Sequence, residues 1–322
     1  MKYREFGSTG LKISELVFGA GAVGGLLINQ DDDYKREAVR LALDSGINWF
    51  DTAPSYGRGR SEEALGWLLQ EVEETPYIST KFTIDTRDPD LYGQIERSLN
   101  GSLERLKREK VTLLQLHNHI GAVTDKRILG LSEILKPHGI LDILDEFKAQ
   151  GMIDHFGITA LGDTAAITRI IKSNRIASAQ VYFNLLNPSA GFTPPPSWPC
   201  YNFTGLIDTC FEHGVAPMNI RVFSAGVIAT NVRHGREAPL TQGDTVESEE
   251  KKAKAIFDRI NNNYGSHAQT AIRFALAQPR LACIVFGLAE TDHLIDALAA
   301  EDLGPLPAAA LNEIADAYLN YE

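Results

Sequence analysis

Short apolar runs alternate with amphipathic, helix-length stretches along almost the whole chain, and this alternation limits the possible folds more than any other feature. Apolar runs separated by segments of helical periodicity are typical of parallel strands joined by helices. Eight strand-then-helix units occur in 322 residues, without a linker, a low-complexity run or a break in composition. The predicted strands cover residues 16–18, 48–53, 77–81, 111–117, 156–159, 179–183, 217–223 and 283–287.

Eight such units favour a single domain, residues 1–322, folded as an α/β (β/α)₈ TIM barrel. Residues 3–14 precede the first unit and have the pattern of a β-hairpin, because Gly7 and Gly10 bracket its turn. We expect this N-terminal hairpin to plug the N-terminal mouth of the barrel. Ser61 has the residue type and position of an N-cap for the helix predicted at 61–72. The other predicted helices cover 33–45, 89–106, 140–150, 164–172, 206–212, 251–261, 268–277, 292–298 and 308–319.

Composition excludes several classes of function. A net charge of −11 without a basic stripe argues against a nucleic-acid or anionic-membrane surface. No apolar run is long enough to span a bilayer, and the first residues lack the apolar core of a signal peptide. Cys200, Cys210 and Cys283 have no paired metal or redox spacing. These features predict a cytoplasmic protein with a small-molecule substrate and leave its oligomeric state open.

Three of the predicted strands carry a polar residue at their C-terminal ends. Asp51, Lys81 and His117 each close an apolar run, and Tyr56 follows Asp51 on a short loop that contains proline and glycine. The C-terminal ends of barrel strands meet at one mouth, where the active sites of such barrels lie. We therefore expect these four side chains to form a proton-transfer site. Asp51 and Lys81 could also be a purely structural ion pair, but such a pair needs no tyrosine beside it.

His117 and His119 indicate a second possible chemistry, since two imidazoles on one strand face can begin a metal site. Further ligands would be needed at neighbouring strand ends, and the other histidines fall mostly on helices or at strand starts. No metal is therefore expected, and a metal-dependent barrel hydrolase is kept as an alternative. A non-catalytic, cofactor-sensing module on the same fold is the other alternative.

Gly19, Gly21 and Gly24 match the dinucleotide fingerprint G-x-G-x-x-G after a strand. That fingerprint requires a helix to open on the third glycine, whereas residues 26–33 intervene here. We interpret the glycines as a βα loop whose backbone approaches a ligand.

Several motifs taken together closely resemble those of the aldo-keto reductases, and the likeness runs from residues 6–11 to residues 286–287. The resemblance implies a nicotinamide-dependent oxidoreductase in which Asp51, Tyr56, Lys81 and His117 are the catalytic tetrad. Tyr56 would be the general acid/base, because a free phenol has a pKa of about 10 and a nearby cation stabilises the phenolate. Asp51 would hold that cation, Lys81, and His117 would orient the substrate oxygen. The motifs that carry the resemblance lie at 50–57, 61–62, 79–81 and 113–117.

The resemblance also implies a nicotinamide cofactor site along the strand ends. Gln180 matches a glutamine that holds the nicotinamide amide together with residues after the fifth strand. The chain departs from the family twice: Thr159-Ala160 replaces the usual Ser-Asn, and Arg221-Val222-Phe223 replaces the usual Ser-Pro-Leu. The expected cofactor contacts are Gly21, Thr159, Gln180, Arg221, Phe223, Ser224, Gly287, Leu288, Ala289 and His293.

We predict NAD rather than NADP as the preferred cofactor. In the family the 2′-phosphate of NADP lies beside the loop after the eighth strand, and this dianion needs Arg or Lys donors. From Leu281 to the C-terminus there is neither residue type, and Glu290 and Asp292 would repel a phosphate. A carboxylate can instead accept a hydrogen bond from a free 2′-hydroxyl.

Within the family the chain most resembles the aldose dehydrogenase branch, which includes L-galactose and D-threo-aldose dehydrogenases. The expected substrate is therefore an aldose, with pyridoxal or a simple aldehyde as related possibilities. Specificity is expected in the long loops 187–203, 119–139 and 231–249, because loops vary on a constant scaffold. The candidate substrate contacts are His119, Trp198 and Tyr201.

Overall fold

The protein is described here from a computed structural model, which covers residues 1–230 and 243–321 and, between them, residues 233, 235, 239 and 241. Eight strands close into a barrel in which neighbours run parallel and follow one another in chain order. The predicted (β/α)₈ barrel is confirmed. The strands are β1 (Tyr3–Glu5), β2 (Lys12–Ser14), β3 (Leu16–Gly19), β4 (Trp49–Asp51), β5 (Tyr77–Phe82), β6 (Val111–Leu116), β7 (His119–Gly121), β8 (Ile128–Gly130), β9 (Ile153–Ala160), β10 (Ser178–Tyr182), β11 (Ala216–Ile220) and β12 (Cys283–Gly287).

Helices surround the barrel and bury their apolar faces against the strands. None of the helices in the described part of the chain is long and apolar enough to cross a membrane. The helices are α1 (Leu26–Asn29), α2 (Asp32–Asp44), α3 (Arg60–Leu68), α4 (Leu91–Leu106), α5 (Leu131–Leu135), α6 (Ile140–Ala149), α7 (Thr164–Ile171), α8 (Leu206–Glu212), α9 (Val246–Arg259), α10 (His267–Leu276), α11 (Thr291–Leu303) and α12 (Ala308–Leu319).

The N-terminal hairpin plugs the barrel as expected. β1 and β2 pair antiparallel outside the barrel sheet. Phe6 and Ile13 are completely buried and join the apolar cluster inside the barrel, which also contains Trp49 and Leu113. The Phe6 and Trp49 rings lie 4.8 Å apart between centroids. The hairpin therefore closes the N-terminal mouth with an aromatic contact.

Several parts of the fold differ from the sequence-based expectation, and three of them concern loops and helix starts. The segment 119–139, expected as one loop, contains the short parallel pair β7–β8 and helix α5. Helix α9 begins at Val246, five residues before the predicted start, where Thr245 and Ser248 form a capping box. Ser61 is not an N-cap: Gly59, with φ 91°, precedes helix α3, and Ser61 lies buried inside it.

Candidate active site

Strand register brings Asp51 and Lys81 together at the C-terminal mouth of the barrel. Asp51 on β4 pairs with Ser79 on β5. Lys81 is two residues after Ser79, so its side chain lies on the same face of β5. Lys81 Nζ donates to Asp51 Oδ2 at 2.6 Å and to the carbonyl oxygen of Thr52 at 2.7 Å. Both charged side chains are buried, with relative exposures of 1% and 4%. The charges are compensated only by each other and by neighbouring polar groups, as buried ions require.

Tyr56 and His117 complete the group of four. Tyr56 lies on a turn in which its backbone N–H donates to Ala53, directly after β4. Its ring centroid is 4.9 Å from Lys81 Nζ and 6.1 Å from the His117 ring, which it meets edge-on. Tyr56 and His117 are partly exposed, whereas Asp51 and Lys81 lie beneath them. The structure therefore brings together all four residues singled out from the strand ends.

The surroundings of Lys81 and His117 have opposite effects on the charge of the two side chains. Burial opposes the charge of Lys81, but the Asp51 carboxylate and the Tyr56 hydroxyl outweigh it and raise the Lys81 pKa above its usual value. Burial and then the Lys81 cation lower the pKa of His117 to about 3. At neutral pH, Lys81 is therefore charged and His117 is neutral. A neutral imidazole keeps one N–H for hydrogen bonding to a substrate oxygen.

Asp51 has more partners than sequence reasoning assigned to it. Its Oδ1 accepts hydrogen bonds from Ser79 Oγ at 2.7 Å and from Gln180 Nε2 at 2.9 Å. Ser79 in turn accepts one from Trp49 Nε1 at 2.9 Å. Side chains alternate along a strand, so Trp49 and Asp51 share one face of β4, and Ser79 and Lys81 share one face of β5. This alternation is the only sequence signal for these contacts.

The expected contacts for a nicotinamide amide lie at the ends of β9 and β10. Thr159 and Gln180 are paired in register, and Thr159 Oγ1 donates to Gln180 Oε1 at 3.5 Å. A Cβ atom built on Gly21 or Gly287 would meet no other atom within 4 Å, so there is space directly beside both glycines. Thr159 and Gln180 are each 2% exposed, and a hydroxyl and an amide together offer the donors and acceptors that a carboxamide requires, so these residue types suit the implied cofactor.

The loop after β11, another expected cofactor contact, has an unusual backbone. Arg221, Ser224 and Ala225 adopt positive φ values of 58°, 45° and 56°. Such conformations are uncommon for residues other than glycine and cluster at ligand sites. Asn184 Nδ2 donates to the Arg221 carbonyl at 2.7 Å, and Ser224 Oγ donates to Glu249 Oε2 at 2.8 Å. Phe223, between them, remains partly exposed.

The loop after β12 is joined to the glycine-rich segment after β3. Leu288 is buried, and its carbonyl accepts from Leu26 N at 3.0 Å, so only its backbone is placed to meet a ligand. Ala289 N donates to Nδ1 of the exposed His293 at 3.3 Å. Tyr34 hydroxyl accepts from Thr291 N and also hydrogen-bonds Thr291 Oγ1, both at 2.9 Å. One backbone amide in the first turn of α11, that of Thr291, is therefore already hydrogen-bonded to the Tyr34 hydroxyl.

The structure separates the three candidate substrate contacts. His119 begins β7 and is exposed, and partial desolvation followed by the Arg221 cation lowers its pKa. Tyr201 hydroxyl donates to the carbonyl of Gly162 at 2.9 Å, which ties loop 187–203 to the segment after β9. In the third loop, residues 231, 232, 234, 236–238, 240 and 242 lie outside the described residues.

Trp198 is not presented over the barrel mouth, which corrects the expectation that it contacts substrate. Its indole is 2% exposed, and Nε1 donates to the carbonyl of Leu186 at 2.9 Å. The rings of Tyr318 and Tyr321 lie 4.7 and 4.8 Å away. Trp198 therefore anchors its loop to the C-terminal helix instead.

The metal alternative finds no support in the described part of the chain. Within it, no group of three or more His, Cys, Asp or Glu side chains is arranged to hold a metal ion. His117 directly follows β6, whereas His119 begins the separate strand β7, so the two imidazoles are not neighbours on one strand.

Comparison with known proteins identifies the family. The Aldo/keto reductase family model matches residues 15–319. An uncharacterized oxidoreductase, YqkF of Bacillus subtilis, is 25% identical over 91% of this chain and 89% of its own. D-threo-aldose 1-dehydrogenase of a Pseudomonas species is 28% identical over 69% of each chain, and L-galactose dehydrogenase of Arabidopsis thaliana is 33% identical over 50% of this chain and 49% of its own.

The fold agrees with that of a solved relative. The holo form of aldo-keto reductase AKR11C1 from Bacillus halodurans matches with a TM-score of 0.74 at 22% identity, over 98% of this chain and 96% of that one. With a family model that covers nearly the whole barrel, this chain belongs to the aldo/keto reductase family of oxidoreductases.

Proposed function

We propose that this protein oxidises or reduces a small sugar or related carbonyl compound with a nicotinamide cofactor, using Tyr56 as the general acid/base. The observation that carries the proposal is the buried Lys81, fixed by Asp51 at 2.6 Å and lying 4.9 Å from the Tyr56 ring. When bound, the nicotinamide supplies or accepts the hydride. The four side chains handle the proton that must move at the substrate oxygen.

Each member of the group has a distinct part in that proton transfer. Tyr56 gives its hydroxyl proton to a carbonyl oxygen in reduction and takes the proton from an alcohol in oxidation. The Lys81 cation stabilises the phenolate that remains, and Asp51 keeps Lys81 charged and in place. His117 is neutral, so it donates a hydrogen bond that orients the substrate oxygen without competing as an acid.

Cofactor contacts are proposed along the strand ends that surround this group. Gln180 and Thr159 would hold the nicotinamide amide, as their paired positions on β10 and β9 allow. Backbone groups of the Arg221–Ser224 loop, Gly21, and the loop from Gly287 to His293 would hold the nucleotide. The positive φ values after β11 support this assignment, because strained backbone persists where a ligand requires it.

We propose NAD as the preferred cofactor. The loop after β12 presents exposed Glu290 and Asp292, which would repel a 2′-phosphate. Amides in the first turn of a helix are the usual substitute for basic side chains in anion binding. Here the Thr291 amide already donates to the Tyr34 hydroxyl. A free ribose hydroxyl needs neither a cation nor that amide.

The proposed substrate class is an aldose, with pyridoxal or a simple aldehyde as the other possibilities. Relatives support these classes by name: D-threo-aldose 1-dehydrogenase, L-galactose dehydrogenase and pyridoxal 4-dehydrogenase. A screen of aldoses, pyridoxal and simple aldehydes with NAD⁺, NADP⁺ and their reduced forms would identify the substrate and direction.

Tyr56→Phe tests the proposed function. The variant keeps the ring and removes the proton, so turnover should fall by at least about 10²-fold, the usual contribution of a general acid/base. Cofactor binding, measured by fluorescence titration, should be retained. Tyr77→Phe is the matched control, because Tyr77 begins β5 at the opposite end of the barrel and should leave turnover unchanged. Near-normal turnover of Tyr56→Phe would refute the mechanism.

A further inference from the structure

The Asp51 carboxylate is held on both oxygens, and the two oxygens have different partners. Oδ2 accepts from Lys81 at 2.6 Å, whereas Oδ1 accepts from Ser79 at 2.7 Å and from Gln180 at 2.9 Å. An ionised carboxylate only accepts hydrogen bonds, so three donors on two oxygens select one orientation of the group. Ser79 gives the shortest bond on the side away from Lys81.

The donor and acceptor capacities of the groups fix the direction of the hydrogen bond between Ser79 and Asp51. An indole N–H can only donate, so Trp49 Nε1 uses Ser79 Oγ as its acceptor, at 2.9 Å. A hydroxyl has a single proton, and the proton of Ser79 therefore points to Asp51. Trp49, Ser79 and Asp51 are all buried. Trp49 is itself held between the rings of Phe6 and Tyr77.

We propose that Ser79, oriented by Trp49, is a positioning residue that aims Asp51 Oδ2 at Lys81 and so sets the pH at which Tyr56 works. Without the Ser79 hydroxyl, Oδ1 keeps Gln180 alone and the carboxylate can turn away from Lys81. The Lys81 cation then loses its fixed place near the Tyr56 ring and stabilises the phenolate less. This inference rests on the proposed function of Tyr56, but Ser79 and Trp49 themselves are assigned no contact with substrate or cofactor.

A purely structural role for Ser79 predicts a different result from the positioning role. Ser178, on β10, is also a completely buried serine, and its hydroxyl has no hydrogen-bond partner among the residues that the structure describes. Removing the Ser178 hydroxyl therefore breaks no hydrogen bond between described residues. Ser178→Ala removes the same atom as Ser79→Ala from the same kind of environment, without touching Asp51. The pair of variants separates the loss of a buried hydroxyl from the loss of the Asp51 contact.

The test is the pH profile of kcat/KM for oxidation, measured with the best aldose and NAD⁺. In Ser79→Ala, the rising limb should move to higher pH by about half a unit or more, and kcat at a pH on that limb should fall by about threefold or more. Trp49→Phe, which keeps an aromatic ring but loses the indole N–H, should shift the limb in the same direction by less. Ser178→Ala should match the parent enzyme in both measurements.

The possible results distinguish a failure of this inference from a failure of the proposed function. If Tyr56→Phe is inactive but Ser79→Ala has the parent pH profile, the positioning role is wrong and the proposed function stands. If Ser178→Ala shifts the limb as much as Ser79→Ala, the effect is general and the inference also fails. If Ser79→Ala does not fold, the test rests on Trp49→Phe. A pH profile of Trp49→Phe whose rising limb lies at the parent pH would then overturn the proposal. If Tyr56→Phe keeps full turnover, both proposals fail together.

Discussion

His117 shows how a residue's surroundings can change its chemistry. An ordinary histidine exchanges its proton near pH 6.5, but here burial and the nearby Lys81 cation lower the pKa to about 3. Protonation of His117 would place a second cation beside Lys81 in a poorly solvated site. The folded protein therefore keeps the imidazole neutral across the range in which enzymes usually work, which suits a hydrogen-bond donor and not an acid.

The lowered pKa of His117 predicts how stability depends on pH. Between about pH 6.5 and 3, the unfolded chain protonates this histidine while the folded chain does not, so the free energy of unfolding falls as pH falls. One such group contributes roughly 1.4 kcal/mol per pH unit across that window. His117→Asn should reduce the slope by about this amount between pH 4 and 6, measured by urea unfolding. A slope identical to that of the parent protein would contradict the neutral assignment.

His213, which is half-buried, provides the control for that measurement. Its ring accepts or donates one hydrogen bond with Asn174 at 2.7 Å, at the surface and away from the barrel mouth. His213→Asn makes the same substitution away from Lys81, so a change in slope shared by both variants would not come from the His117 site. Direct observation of the His117 ring nitrogens by NMR, unchanged from pH 7 down to pH 5, would support the same conclusion.

At the scale of elements, strands were more predictable than loops, and the reason is physical. Strand alternation and a shared C-terminal edge were enough to gather Asp51, Lys81 and His117, because register in a closed barrel allows little freedom. The predicted bounds of α8, α12 and β12 agree with the structure. Binary pattern and length therefore determine where strand-borne chemistry lies.

Loop positions depended on contacts that no local pattern records. The sequence predicts Trp198 as a substrate contact, but the rings of Tyr318, on α12, and of Tyr321, just after that helix, pack against its indole. Ser61 looks like an N-cap, yet its hydroxyl donates to the Ala20 carbonyl at 3.0 Å and lies against Thr52. Both side chains found distant partners that outweighed their local preference.

The contact between α2 and the start of α11 gives a prediction about cofactor choice. Tyr34 hydroxyl holds the Thr291 amide, so Tyr34→Phe should free that amide for an anion. An amide at a helix N-terminus contributes about 1 kcal/mol to anion binding, so the ratio of kcat/KM for NADP to that for NAD should rise about fivefold. The parent enzyme should prefer NAD, since Glu290 and Asp292 remain beside the site.

Tyr92→Phe is the matched control for cofactor choice. Tyr92 lies on α4, where its hydroxyl accepts from Gln150 at 3.4 Å and its ring packs on Phe147. That variant should leave the cofactor ratio unchanged. A parent preference for NADP of tenfold or more would overturn the assignment, and an unaltered ratio in Tyr34→Phe would remove Tyr34 from it.

Across the whole molecule, the two mouths of the barrel have separate tasks. The C-terminal mouth holds the buried Asp51–Lys81 pair under a partly exposed Tyr56. The N-terminal mouth is closed by the hairpin and lies beside a cavity of about 830 Å³, lined in part by Arg4, Phe211 and Leu306. In barrels of this kind, chemistry belongs to the first mouth and stability to the second. Substitutions at the two ends should therefore change different measured quantities.

Arg4 offers the sharpest test of that division, because it ties the hairpin to the end of α10. Its Nε donates to Glu15 at 2.6 Å, and its Nη1 donates to the Leu281 carbonyl at 2.9 Å, with weaker bonds to two more carbonyls at 3.3 Å. Arg4→Met leaves Glu15, which is 7% exposed, without its cation. Breaking one side of a largely buried pair should lower the free energy of unfolding by about 2–4 kcal/mol.

Urea unfolding should show this loss as a lower midpoint with an unchanged m-value, while kcat of the folded enzyme stays at the parent level. Lys12→Met is the control, since Lys12 and Glu5 form an exposed pair at 3.7 Å whose partners are 74% and 60% accessible. An exposed pair contributes at most about 1 kcal/mol, so that variant should unfold almost like the parent. Equal losses in the two variants would mean that Arg4 does not anchor the hairpin, and a fall in kcat for Arg4→Met would show that the two mouths are coupled through the barrel.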